Sequence, residues 1–267
     1  MAWKGIRVDR RGEGSGGEDT EGDMKPAVTD INQFPSEEGM IVFPISMSKI
    51  NNSQNAAACL KWVEWLTTKI KRHKGIGAAV LYSDYLYFHM EERTTLDLKK
   101  GFLTNMIGHK NALSNILITH DTYIPKAFSY HTWGQFVLNQ PKFMVYLNKL
   151  HQLFEKDLFF QELAKKDTKD FGRKLSTQQV MFFLEEALVL HLLTKGMIPI
   201  DNEFINHHEQ WILVCYPGKP LRTEAYLYQK DFFKLSNPKN RYENHFYDLE
   251  GKKLYDFMQL DLEKWDV

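Results

Sequence analysis

Four residues at three places in this 267-residue chain carry side chains suited to covalent or proton-transfer chemistry: Ser46, the pair Glu185–Glu186, and Tyr216. Ser46 ends an apolar run, Met40-Ile41-Val42-Phe43-Pro44-Ile45, and opens a small polar loop. A serine between a strand and a helix N-terminus lies beside backbone N–H groups that can stabilise the oxyanion formed when it attacks an ester. The same position also suits a serine that merely ends a strand or caps a turn, and no Gly-x-Ser-x-Gly elbow is present. The glutamates sit inside "MFFLEEALVLHLL" (181–193), a segment apolar on nearly every side and expected to be a buried helix. A carboxylate there is costly unless it has a partner or a task, such as holding an ammonium group or carrying protons. Phe182, Glu186 and Val189 share one face, and because Glu185 is offset from Glu186 by about a hundred degrees, one of the pair suits a solvent-facing stripe. Tyr216 ends the run "WILVCY" (211–216) and precedes Pro217, which cannot continue a ladder. It fits a packing tyrosine or a proton relay in a cleft.

The elements that must position these groups alternate along the chain. Residues 40–46 read as a buried parallel strand, followed by a helix capped by Asn52 or Ser53 and running to about His73. Gly75 and Gly77 end that helix, and "AAVLYS" (78–83) is a second buried strand. A helix over about 94–115 precedes a short strand, "NILIT" (115–119). Pro141 opens a long helix reaching about Asp170, and Ser176 begins the next with the form of a capping box. Residues 211–216 are a late buried strand. This alternation predicts an α/β fold, a single Rossmann-like domain with a parallel sheet flanked by helices, over residues 39–267. Ligands of such sheets bind at the carboxyl ends of the strands, where Ser46, Ser83 and Tyr216 fall. Residues 1–38, rich in Gly, Glu and Asp, are expected to be a disordered tail.

Composition narrows the function. Apolar residues make up 43% of the chain and the formal net charge is zero, so binding of nucleic acid must rest on local patches. Two cysteines, Cys59 and Cys215, provide no disulfide framework for this size and favour a reducing compartment. Without an apolar run of about 18 residues or a signal-like N-terminus, the expectation is a cytoplasmic protein, with no membrane partner. "NHHE" (206–209) lacks a second cluster at metal spacing, and no Gly-x-Gly-x-x-Gly or Walker loop is present, so neither metal nor cofactor is expected.

Taken together, Ser46, Glu186 and Tyr216-Pro217 resemble the tRNA-dependent cyclodipeptide synthases, which are similar to the catalytic domains of class I tyrosyl- and tryptophanyl-tRNA synthetases. The resemblance covers most of residues 40–220. Ile45-Ser46-Met47-Ser48 with Ser53-Gln54 matches the family's first strand and loop, Leu60-Lys61-Trp62 a step in the next helix, and Val80-Leu81-Tyr82-Ser83-Asp84 the second strand. Phe182-x-x-x-Glu186-Ala187 falls on the family's Tyr-x-x-x-Glu motif, and Tyr216-Pro217, with Lys49 in place of asparagine, fits the Tyr-Pro branch. The likeness of "SMSKI" to a synthetase ATP loop is incidental, because that loop comes late in the domain and is partnered by an earlier His-x-Gly-His motif.

The resemblance implies an aminoacyltransferase that makes a cyclic dipeptide from two aminoacyl-tRNAs by a ping-pong route, without ATP. Ser46 would be the nucleophile, Glu186 the group holding the substrate ammonium, and Tyr216 an aid to proton transfer. Phe182 stands where the family has a tyrosine, and Leu188 where a proline is usual. Implied pocket positions are Val42, Pro44, Leu81, Val189 and Val214, whose apolar character suits an apolar or aromatic first amino acid. The helix that carries a basic tRNA-binding patch in the family holds Lys99, Lys100, His109 and Lys110. The substrates are then the aminoacyl-tRNAs, and the protein a monomer. The alternative is a catalytically inactive relative that binds aminoacyl-tRNA.

Overall fold

The computed structural model describes residues 28–29, 38–47, 49–51, 53–72, 75–84, 95–119, 128–173, 175–198, 200 and 211–265. In chain order the elements are β1 (Val28–Thr29), β2 (Gly39–Ile45), α1 (Leu60–Arg72), β3 (Ile76–Tyr82), α2 (Thr95–Thr119), β4 (Phe128–Thr132) and α3 (Trp133–Asn139). There follow α4 (Phe143–Lys156), α5 (Leu158–Asp170), α6 (Thr177–Thr194), β5 (Trp211–Tyr216), α7 (Arg222–Gln229), β6 (His245–Asp248) and β7 (Lys253–Asp256). The strands form one seven-stranded sheet in the order β1-β7-β6-β5-β2-β3-β4. The five from β6 to β4 run parallel, and β7 and β1 close one edge antiparallel. This is an α/β, Rossmann-like fold.

The central strands are apolar because both their faces are covered. Every residue of β2 and β3 is buried, as is all of β5 except half-buried Tyr216. Helix α6 lies deep, packed against α4, α5, α7 and β5, which explains an apolar surface on every side. Its N-cap is Ser176, whose side chain accepts from the Gln179 N–H. Among the described residues, no helix is long and apolar enough to cross a membrane.

Chain order reverses at β2: β3 and β4 lie to one side, β5 and β6 to the other. The crevice at such a switch point is where α/β sheets bind ligands, and Ser46 and Tyr216 end the two strands that flank it.

Several local expectations are corrected. Helix α1 begins at Leu60 rather than near Ser53; the described residues from 53 to 59 form turns, with the Asn55 side chain accepting from the Ala58 N–H. Gly77 belongs to β3, and Gly75, with φ of 94°, makes the turn before it. "NILIT" is no strand but the end of α2, where Leu113 and Leu117 are buried and Ile118 is exposed, a helical spacing. The strand at that side of the sheet is β4. The long helix expected from Pro141 is broken at Asp157, whose carboxylate caps α5 by accepting from the Phe160 N–H at 3.0 Å. Within the segment expected to be a disordered tail, Val28 and Thr29 pair with Tyr255 and Leu254; residues 1–27 and 30–37 lie outside the described residues, as does the "NHHE" stretch.

One close approach fixes β2 against β5. Gly39 is paired with Trp211, and a Cβ added to the glycine would fall 1.9 Å from the indole Cε2. Gly39→Ala is therefore expected to destabilise by about 1–3 kcal/mol or more, as overpacking does. Gly101→Ala, on α2 with open space around the added carbon, is expected to stabilise by about 0.5–1 kcal/mol. Thermal melts of the two variants check the pair; a Gly39→Ala protein as stable as wild type would refute this account of the strand contact.

Candidate active site

Ser46 leaves β2 at the crevice and is half-buried. Its loop is held from three directions. The Ser46 N–H donates to Gln54 Oε1 at 2.7 Å, the Met47 N–H to Ser83 Oγ at 3.3 Å, and the Lys49 N–H to the Ser46 carbonyl at 2.9 Å. Ser83, at the end of β3, also donates its hydroxyl to the Ile45 carbonyl at 3.0 Å. The expectation of open backbone N–H groups beside the serine is thus corrected: those of Ser46 and Met47 are engaged by side chains, and no helix begins there. Gln54, 1% exposed, is fixed in turn where its carbonyl accepts from His109 Nε2 at 2.9 Å.

Ser46 opens onto a pocket of about 360 Å³. Its walls come from the ends of β2 and β3, from Tyr216 at the end of β5, and from the start of α3 at Trp133. Phe182, Phe183, Glu186 and Leu190 of α6 form another side, and Phe171–Arg173 and Lys219–Leu221 with Glu224 complete it. The site therefore brings Ser46, Phe182, Glu186, Tyr216 and Pro44 together. Val42, Leu81, Val189 and Val214 do not line this pocket; they are core residues, at most 1% exposed.

Glu186 is half-buried and faces the cavity. Burial pushes its carboxyl up from 4.5 to about 7, opposed by the positive charges of Lys49 and Arg173 and reinforced by Asp167. Of the pair, Glu185 is buried at 2% exposure and Glu186 is half-buried, so Glu185 is not the solvent-facing member. Tyr216 accepts from Lys49 Nζ at 3.5 Å, and the same ammonium lies 5.7 Å from its ring centroid. The Phe182 ring stands edge-on to Phe183, with the Arg173 guanidinium 5.8 Å from its centroid.

Sequence reasoning did not find the part played by Lys49, nor Arg173, Lys219 and Glu224. The signal available was weak: Lys49 lies three residues after Ser46, and Glu224 follows Arg222 and Thr223 at the start of a short segment, "RTEAYLYQ". Among the described residues, no histidine lines the pocket. His109 is buried, held by Tyr82 at 3.0 Å, and burial lowers its pKa, so it contributes no charge to the surface of α2. Lys100 and Lys110 are exposed on that helix, Lys110 with its ammonium 4.8 Å from the Tyr130 ring centroid, beside exposed Leu103 and Ile107. The Lys99 side chain lies outside the described residues. Both thiols are buried, and burial raises Cys59 to about 12 and Cys215 well above its ordinary value, so neither is a nucleophile. Among the described residues, no group of three or more His, Cys, Asp or Glu side chains is placed to hold a metal ion.

No protein-family model matches the chain, and no curated protein matches it in sequence. Solved structures do match it. A CDPS from Fluoribacter dumoffii is 16% identical, with a TM-score of 0.51 over 76% of this chain and 88% of that one. AlbC, a cyclodipeptide synthase from Streptomyces noursei, is 13% identical, with a TM-score of 0.46 over 76% of this chain and 90% of that one. The cyclodipeptide synthase from Candidatus Glomeribacter gigasporarum, solved bound to Phe-tRNAPhe, is 14% identical, with a TM-score of 0.48 over 75% and 85%. By structure, this chain has the fold of a cyclodipeptide synthase.

Proposed function

We propose that this protein is a tRNA-dependent cyclodipeptide synthase that works through an aminoacyl-Ser46 intermediate. The observation that carries the reading is the meeting of Ser46, Glu186 and Tyr216 in one pocket at the topological switch point. None of the described residues lining the pocket is a histidine that could serve as the base of a Ser-His hydrolase.

The ester that joins an amino acid to tRNA is already activated. Ser46 Oγ attacks its carbonyl carbon, the new C–O bond forms, and the ribose oxygen leaves with a proton. With the Ser46 and Met47 N–H groups engaged, positive charge at the mouth must help stabilise the oxyanion, and Lys49 is the cation nearest in sequence. Glu186 holds the ammonium of the bound aminoacyl group; a carboxyl near 7 can take a proton from it as the amine becomes a nucleophile. That amine attacks a second aminoacyl-tRNA to give a dipeptidyl-enzyme. The dipeptide's own amine then closes on the Ser46 ester and frees the cyclic product, with Tyr216, tuned by Lys49, aiding proton transfer.

A second reading, an inactive relative that binds aminoacyl-tRNA, is favoured by Phe182. The tyrosine it replaces would offer a hydroxyl bond worth about 1.5–3 kcal/mol to a charged group. Its loss corresponds to about a hundredfold at most, which weakens a synthase without silencing it. Phe182→Tyr is expected to hold or raise cyclic dipeptide yield. A silent wild type, with a destabilised and equally silent Phe182→Tyr, would favour the second reading.

Ser46→Ala is expected to abolish both the covalent adduct, read by intact mass after incubation with charged tRNA, and the cyclic dipeptide. Its melting temperature should stay within about 2 °C of wild type, since a half-exposed strand-end residue contributes little packing. Product at the wild-type rate would remove Ser46 from the mechanism.

Glu186 gives a test that needs no substrate. Its folded pKa of about 7 lies above its ordinary 4.5, so the stability it contributes is fully present below about 4.5 and is lost as pH rises through 7. Glu186→Gln has no such dependence. The variant should therefore gain stability relative to wild type between pH 5 and pH 8, and a constant difference across that range would contradict a half-buried, proton-binding Glu186. In turnover it should be crippled far more than Glu185→Gln.

A further inference from the structure

The pocket holds one more acid than this mechanism uses. Glu224, in the first turn of α7, lines the same cavity as Glu186 and is 1% exposed. Its Oε2 has no hydrogen-bond partner among the described residues. A buried acceptor is rarely left in that state without a task. The position is held firmly. Asp167 of α5 accepts from the N–H groups of Arg222 and Thr223 at 3.0 and 2.9 Å, which pins the turn that carries Glu224. Burial, together with the charges of Glu186 and Asp167, raises the Glu224 carboxyl well above its usual range, which favours its taking up a proton.

A second polar atom among the residues lining this cavity lacks a partner. Trp133 is 1% exposed, and its Nε1 makes no hydrogen bond among the described residues. An unpartnered indole donor and an unpartnered carboxyl oxygen in residues lining one cavity suit a ligand that offers both a carbonyl and an amine. Every aminoacyl or dipeptidyl group carries that pair.

We propose that Glu224 binds the amine of the second aminoacyl group and readies it for ring closure, while Glu186 serves the first amine. The inference rests on the synthase reading above, whose reaction must deprotonate two amines in turn. When the second ammonium enters, the Glu224 carboxylate takes one of its protons. What remains is a carboxylic acid beside a neutral amine, the form able to attack. During closure the amine nitrogen attacks the carbonyl carbon of the Ser46 ester. The C–N bond forms, the bond from that carbon to Ser46 Oγ breaks, and one N–H proton passes to the departing Oγ.

Total tRNA charged with a mixture of radiolabelled amino acids, incubated with the full chain, separates the steps. Glu224→Gln is expected to acquire the aminoacyl-Ser46 adduct as wild type does and to advance to the dipeptidyl adduct. That adduct should accumulate while release of the cyclic product falls at least about tenfold, the scale of a positioned proton-transfer group. Glu224→Asp, which keeps the acid, should recover part of the release, whereas Glu186→Gln should fail at the first adduct. Wild-type release by Glu224→Gln overturns the proposal, as does its arrest at the same step as Glu186→Gln. Equal loss in the Gln and Asp variants reduces Glu224 to a structural role and also overturns it. Should Glu224→Gln not fold, Glu224→Asp alone decides, through accumulation of the dipeptidyl adduct or wild-type release. A wild type never acylated at Ser46 sinks the synthase reading itself and this inference with it, a result distinct from all the others.

Discussion

Burying a carboxylate is expensive, and the structure behind the pocket is organised around satisfying one. Asp167 is completely buried in α5, yet it accepts from the Arg222 and Thr223 N–H groups, from Thr223 Oγ1 at 2.8 Å, and from Arg222 Nη1 at 3.3 Å. The same guanidinium reaches Asp170 at 2.6 Å, and its Nε and Nη2 donate to the Trp265 carbonyl at 3.0 and 2.8 Å. One cluster thus ties α5, the start of α7 and the end of the described chain into a single body. Removing either charge would leave the other buried and unpaired, a loss of about 3–5 kcal/mol in comparable pairs. Asp167 also bears on the site at a distance, because its charge raises the pKa of both Glu186 and Glu224.

The pocket built on that frame mixes opposing demands. Two acids, Glu186 and Glu224, share its wall with the basic groups of Lys49, Arg173 and Lys219. Apolar surroundings make each charge strong, and the cations offset part of the cost for Glu186. Such a site has little affinity for a purely apolar ligand and suits one carrying an amine beside carbonyl groups. The Tyr216 hydroxyl accepts from the Lys49 ammonium, which helps keep it in register.

The parts of this fold legible in the sequence were those whose physics is local. Three apolar runs, at residues 40–45, 78–82 and 211–216, announced strands covered on both faces, and an all-apolar 181–193 announced a buried helix. Where tertiary context decides, the reading slipped. "NILIT" has strand composition but continues a helix whose buried stripe it completes at Leu117. Strand β4, Phe-Ser-Tyr-His-Thr, lies at the edge of the sheet and is only half-buried, so it lacks the apolar run. Asp157 breaks a helical periodicity that runs through it without interruption, because its carboxylate finds a better use capping α5. The serine loop shows the same limit. Sequence placed Ser46 at a strand end, but only the packed structure reveals that Gln54 and Ser83 occupy the neighbouring N–H groups.

The two sulfhydryls lie beneath the protein surface, and neither is bonded to the other. Because no cross-link closes the chain, the free energy of folding does not depend on the redox potential of the surroundings. Shielded thiols of high pKa are also slow toward alkylating and oxidising reagents. A single cysteine introduced at an exposed position would consequently be the one site to take a maleimide dye, so the motions of this fold can be followed by fluorescence without first stripping it of its native cysteines.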